Sequence, residues 1–247
     1  MVTIPTDDAR AVAAVEAIHT GDAEGLRRLL REHPELSTAT LGTEDEDAAC
    51  AMTRTLLHVV TDWPGHFPNG AATVRALVDA GADVNARFTG PHRETPLHWA
   101  ASSDDVDVLD ALLDAGADIE APGAVIGGGT PLADATAFGQ WNAARRLIER
   151  RARATFWESA TLGLMDRVVA FFATDAPPNA EDITHAFWGA CHGGQRPSAQ
   201  YLLEQGADIN WIGWDELTPL DAAERSEARE LVSWLRENGA RSAAELR

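Results

Sequence analysis

The chain has 247 residues, is 45% apolar, and carries 39 acidic against 20 basic side chains, a formal net charge of −19. That field repels a nucleic-acid backbone and an anionic membrane surface, attracts a basic peptide or a cationic small molecule, and keeps an Ala- and Leu-rich chain dissolved. Cys50 and Cys191 are far apart and offer no Cys/His ligand spacing, which excludes a thiolate zinc site and fits a reducing compartment. The opening MVTIPTDDAR has neither a basic nor an apolar signal region. No apolar run approaches the roughly 18 residues of a membrane span, so a soluble, cytoplasmic protein is expected.

In chain order, Val15–Leu30 (VEAIHTGDAEGLRRLL) predicts two short helices with Gly21 between them. Residues 36–54 form a long acidic insert whose TEDED run predicts a solvated loop. Thr55–His58 (TLLH) opens a second helix pair, and residues 61–70 (TDWPGHFPNG) enlarge its turn with rings expected to pack down. At Thr95–His98 the motif reads TPLH, at Thr130–Ala133 TPLA, and at Thr218–Asp221 TPLD. Thr95 and Thr218 can cap a helix whose first turn holds Pro96 or Pro219, where the missing N–H costs nothing. Ala100 and Ala101 are small enough for close stacking, and Val108, Leu109, Leu112 and Leu113 make the apolar stripe of the following helix. Gly81, Gly116, Gly206 and Gly239 each follow a Leu/Val-rich helix end, where a left-handed residue is needed. Weaker copies begin near Ala154 and His185, with Gly163 in the turn of the first of these.

These units, with Thr95 and Thr130 35 residues apart and His185 and Thr218 33 apart, resemble the ankyrin repeat, a helix pair of about 33 residues carrying T-P-L-H-x-A. The resemblance covers nearly the whole chain. It implies an all-α solenoid of about seven helix pairs with β-hairpin fingers, starting near residues 9, 55, 95, 130, 154, 185 and 218. One such pair cannot bury its apolar face alone and must stack. The fingers RFTGPHRE (87–94) and PGAVIGGG (122–129) are long, whereas after Arg151 the finger is almost absent. An irregular middle junction is therefore expected within one continuous single domain over 1–247. The segment from Ser226 to Arg247 reads as a polar C-terminal cap, and with the high charge it predicts a monomer.

The resemblance also implies a concave groove lined by the first helices and the fingers. The row after the motif histidine reads Val59, Trp99, Asp134, Glu158, Gly189 and Ala222; one turn on come Asp62, Ser103, Thr161 and His192. Adding Trp63, His66, His92, Glu94, Trp211 and Trp214 from loops and fingers predicts an acidic, Trp/His-rich surface suited to a basic ligand. Trp157 and Trp188 are expected in the core, and His58 and His98 are expected to be structural, bonding the motif Thr and nearby backbone.

Two functions follow. The first is a binding module that holds a protein or peptide partner in the groove, with no metal, no cofactor and no nucleic acid. The second is an enzyme or small-molecule binder in which loop 61–70, finger 87–94 and the inner helices form a His/Asp pocket. There His66 or His92 would act as base for hydrolysis or proton transfer, with Asp62 or Asp134 orienting it. No HExxH, GxSxG or Lys-bearing phosphate loop is present.

Overall fold

The computed structural model describes residues 2–42 and 52–247. The TEDED run at 43–47 and Cys50 lie outside the described residues. The chain forms two compact units, residues 1–152 and 153–247.

In the first unit, α1 (Ala9–Thr20) and α2 (Ala23–Glu32) form the opening pair. They turn on Gly21 at φ 72°, where a Cβ would lie 2.4 Å from the Pro68 carbonyl oxygen. Next come α3 (Leu56–Val60) with α4 (Gly70–Asp79), α5 (Pro96–Ser102) with α6 (Val106–Asp114), and α7 (Pro131–Ala137) with α8 (Trp141–Glu149). Each pair buries one stripe on its neighbour. Leu57, Leu77, Leu97, Leu109, Leu112, Leu132 and Leu147 are fully buried, as are the small Ala100 and Ala101.

The edges of the acidic insert are not plain loop. Thr40–Gly42 (β2) pairs in parallel with Thr3–Ile4 (β1) and antiparallel with Thr53–Thr55 (β3), a three-stranded sheet that the helical repeat pattern does not signal. Burial of Ile4 and Leu41 explains it, because these short segments need each other to satisfy their backbone. The fingers are closed by a few backbone bonds rather than by ladder strands. Phe88 N–H donates to the Glu94 carbonyl at 2.8 Å, and Gly123 N–H to that of Gly128 at 2.9 Å.

His58 and His98 clamp consecutive repeats. In each, Nδ1 accepts from the motif threonine's N–H, at 3.3 Å for His58 and 3.1 Å for His98. Nε2 then donates to a carbonyl one repeat on, that of Glu94 at 3.3 Å and of Gly129 at 3.4 Å. The neutral Nε2–H tautomer follows, and burial pushes both imidazoles down to about 4. The arginines of α8 also link repeats rather than forming only a solvated face: Arg146 and Arg150 both reach Asp110 on α6 at 2.8 Å.

The second unit holds α9 (Phe156–Thr161), α10 (Met165–Phe172), α11 (Ala180–His192), α12 (Arg196–Glu204), α13 (Pro219–Arg225), α14 (Arg229–Glu237) and a last turn, α15 (Ala243–Leu246). Phe187, Cys191, Leu202, Leu220 and Leu235 lie in its core. Helix α11 starts at Ala180, not His185. Asn179 accepts the N–H groups of Glu181 and Asp182, and this cap adds more than a turn ahead of the repeat motif. At two of the helix starts that lack the motif histidine a carboxylate takes its place: Glu158 accepts the Thr155 N–H at 2.6 Å, and Asp221 accepts that of Thr218 at 2.9 Å.

Candidate functional site

The first unit contains an open cavity of about 430 Å³ lined by Asp62, Trp63, Glu94, Trp99, Ser103, Val125 and Phe138, with Thr61, Ser102 and Gln140 completing it. Three structural levels build it. The ends of α3 and α5 supply Thr61, Asp62, Ser102 and Ser103. The two fingers supply Glu94 and Val125, and the α7–α8 turn supplies Phe138 and Gln140.

Glu94 is buried, its carboxyl is raised by burial, and it accepts a hydrogen bond from the Trp99 side chain. Trp99 packs against Phe88 at 5.4 Å and edge-on to His58 at 5.0 Å, so its ring is fixed. Asp134 lies fully buried on α7. Burial, reinforced by the charge of Glu94, pushes its carboxyl up to about 7, while N–H groups of Ile126 and Val125 oppose that rise. Its Oδ2 has no hydrogen-bond partner among the described residues. Neither Glu94 nor Asp134 forms an ion pair among the described residues, whereas Asp62 at the rim is paired with Arg54. A buried carboxyl beside a fixed indole makes a place where a cation is stabilised by charge, hydrogen bonding and the ring face together.

Sequence reasoning expected Trp63 to pack down. It stands 80% exposed, as a wall of the cavity mouth. His66 does not join the site: its Nε2 donates to the Ser103 carbonyl at 3.0 Å and its N–H to Asp105 at 2.7 Å. The rest of loop 61–70 is likewise a brace. Phe67 stacks on His19 at 4.5 Å and Asn69 donates to the Gly21 carbonyl. His92 lines a different depression, on the other side of the finger. The proposed pairing of His66 or His92 with Asp134 is therefore not assembled: the His66 imidazole is bonded to the Ser103 carbonyl, and His92 lines a different depression. Phe138 escaped sequence reasoning; the only signal was a large ring just before the turn glycine Gly139.

In the second unit, Glu158 serves as the cap of α9, and its carboxylate is committed there. His192 is buried and stacks on Trp188 at 5.5 Å. Trp188 is core, as expected, with its N–H on the Leu217 carbonyl at 3.0 Å. Trp157 is only half-buried, against expectation. It lines a second cavity of about 430 Å³ with Phe156, Phe171, Asp182, His185 and Trp214. Trp211 and Trp214 meet His185 at 4.7 and 5.2 Å and each other at 5.4 Å.

A family model described as ankyrin repeats (3 copies) matches residues 13–123 and 69–156. An ankyrin repeat and KH domain-containing protein of Caenorhabditis briggsae is 30% identical over 185 residues, 71% of this chain; the chain spans 7% of that protein's length. The crystal structure of the human ASB11 ankyrin repeat domain superposes with a TM-score of 0.50 at 22% identity, covering 92% of this chain and 84% of that one. This likeness concerns the fold alone.

Proposed function

Because the chain belongs to the ankyrin-repeat family, whose members serve generally as protein–protein interaction modules, we propose that it binds a basic protein segment by taking an arginine or lysine side chain into the cavity beside Glu94 and Trp99. The observation that carries this reading is the buried Glu94 carboxyl in the cavity wall, which forms no ion pair among the described residues and whose charge acts on the buried Asp134. Taking the Glu94 carboxyl out of water is costly, and its retention in the wall of an open cavity is accounted for by a ligand that supplies the missing charge. Trp63 and Phe138, both exposed at the mouth, would cover the aliphatic stem of the inserted side chain.

A feature of the composition makes the test clean. All 20 positions counted as Lys or Arg are arginine. The chain's carboxylates thus have no side-chain amine of their own to couple with. A carbodiimide that joins carboxylates to amines should link the full chain to a lysine-containing basic peptide, with the cross-link mapping to Glu94 or its neighbours. Cross-links confined to scattered surface acids, unchanged in Glu94→Gln, would count against the reading.

A further inference from the structure

We propose that the face of the fingers opposite the acidic cavity is an anion site that takes a phosphomonoester. The two fingers lie side by side, with the Arg93 N–H donating to the Gly123 carbonyl at 3.3 Å. Glu94 and Val125 line the acidic cavity, while their neighbours Arg93 and Ala124 line a separate depression of about 560 Å³ together with Arg87, His92 and Gly128. Among the described residues no carboxylate lines this second depression. In a chain with 39 acids against 20 arginines, a cavity whose described lining holds two guanidinium groups and an imidazole and no acid is a local inversion of the overall field.

The two arginines differ in what they do. Arg87 is anchored: its Nη1 donates to the Arg93 carbonyl at 2.9 Å and to that of Pro122, which staples the fingers together. A guanidinium has five N–H donors, so part of the fork remains available to a ligand. The tight approach requires Gly123, at φ 127°, where a Cβ would lie 2.3 Å from the Arg93 carbonyl oxygen and 2.9 Å from Arg87 Nη1. The Arg93 guanidinium has no ion pair and no side-chain hydrogen bond among the described residues. One anchored fork, one unengaged fork and an imidazole match the three oxygens and double charge of a phosphomonoester. A monocarboxylate would gain less from the same groups while meeting the same repulsion from the rest of the chain.

This site is independent of the basic-segment reading, since it uses none of the acidic cavity's side chains. The test is calorimetric titration of the full chain at low ionic strength with a short, otherwise neutral phosphoserine peptide, its unphosphorylated twin, and inorganic phosphate. Saturable binding is expected for the two phosphorylated probes and not for the twin. Arg93→Gln should weaken it about tenfold or more, with the thermal melt unchanged. Arg93→Lys should recover only part, because an ammonium lacks the fork. Glu94→Gln, on the other face, should not weaken phosphate binding. Equal affinity for phosphate and phosphopeptide assigns the site to a small phosphorylated ligand, and tighter phosphopeptide binding assigns it to a partner segment. Failure of both probes to saturate, or equal affinity in Arg93→Gln, overturns the proposal.

Discussion

Glu94 and Asp134 are two carboxylates taken out of water beside one another, and their chemistry sets what the site can do. Replacing Glu94 by Gln keeps the shape and the hydrogen bond to Trp99 but removes the charge; a basic peptide should bind about tenfold more weakly. Trp99→Ala should cost about 2 kcal/mol of binding, since the indole supplies both the ring face and the fixed hydrogen bond. Titration calorimetry checks both. Asp134 has a pH signature of its own. Its folded carboxyl is raised from 3.8 to about 7, so between those values the fold holds a proton that the unfolded chain has released. Its contribution to stability is therefore fully present below pH 4 and lost as pH rises through 7. Thermal melts of Asp134→Asn should fall less than those of the parent between pH 4 and 7 and lie above them at pH 8. Parallel curves would show that Asp134 is not held protonated.

At the scale of elements, two kinds of helix start divide the chain by acid sensitivity. The His58 and His98 imidazoles are lowered from 6.5 to about 4 because burial disfavours their charged form. Their stabilisation is present above pH 6.5 and is lost as pH falls toward 4. Asp221 behaves differently. Burial would raise its carboxyl, but hydrogen bonds from the Thr218 and Ala243 N–H groups and the Thr218 hydroxyl hold it below the usual range. Hydrogen exchange at pH 5 should therefore show the starts of α3 and α5 opening while that of α13 stays protected. A second element-scale prediction concerns Gly189 inside α11. A Cβ there would lie 2.5 Å from Thr161 Oγ1 and 2.7 Å from Trp157 Nε1. Alanine favours a helix over glycine by about 1 kcal/mol, yet overpacking costs about 1–3 kcal/mol. Gly189→Ala should lower the urea midpoint and shift Trp157 fluorescence. A stabilised variant would mean that α9 yields easily to α11.

Across the whole molecule, the charge of −19 acts on every encounter. Association with a basic segment should be fast at low salt and weaken as salt rises, because exposed charges are screened within about 8 Å at physiological ionic strength. Stopped-flow association rates across a salt series check this. A rate indifferent to salt would mean that the apolar wall, and not the field, captures the partner. Repulsion between like chains also favours a monomer, which light scattering at low and physiological salt can test.

The helix pairs were legible from residues alone, because each repeat states its own rules locally. A threonine caps, a proline starts, leucines recur at helical spacing, and a glycine ends the pair, all within one or two turns of chain. Of the residues expected to face the groove, Asp62, Trp63, Glu94, Trp99 and Ser103 line one cavity. Tertiary structure alone decided which of the remaining side chains join them. His66 and His92 have the right chemistry in the right segments. Their direction depends on partners from other repeats or on which side of a finger they emerge, and neither is written in local spacing. The sheet of β1, β2 and β3 was hidden for the same reason: its strands are two or three residues long, and only pairing across distant parts of the chain gives them a conformation.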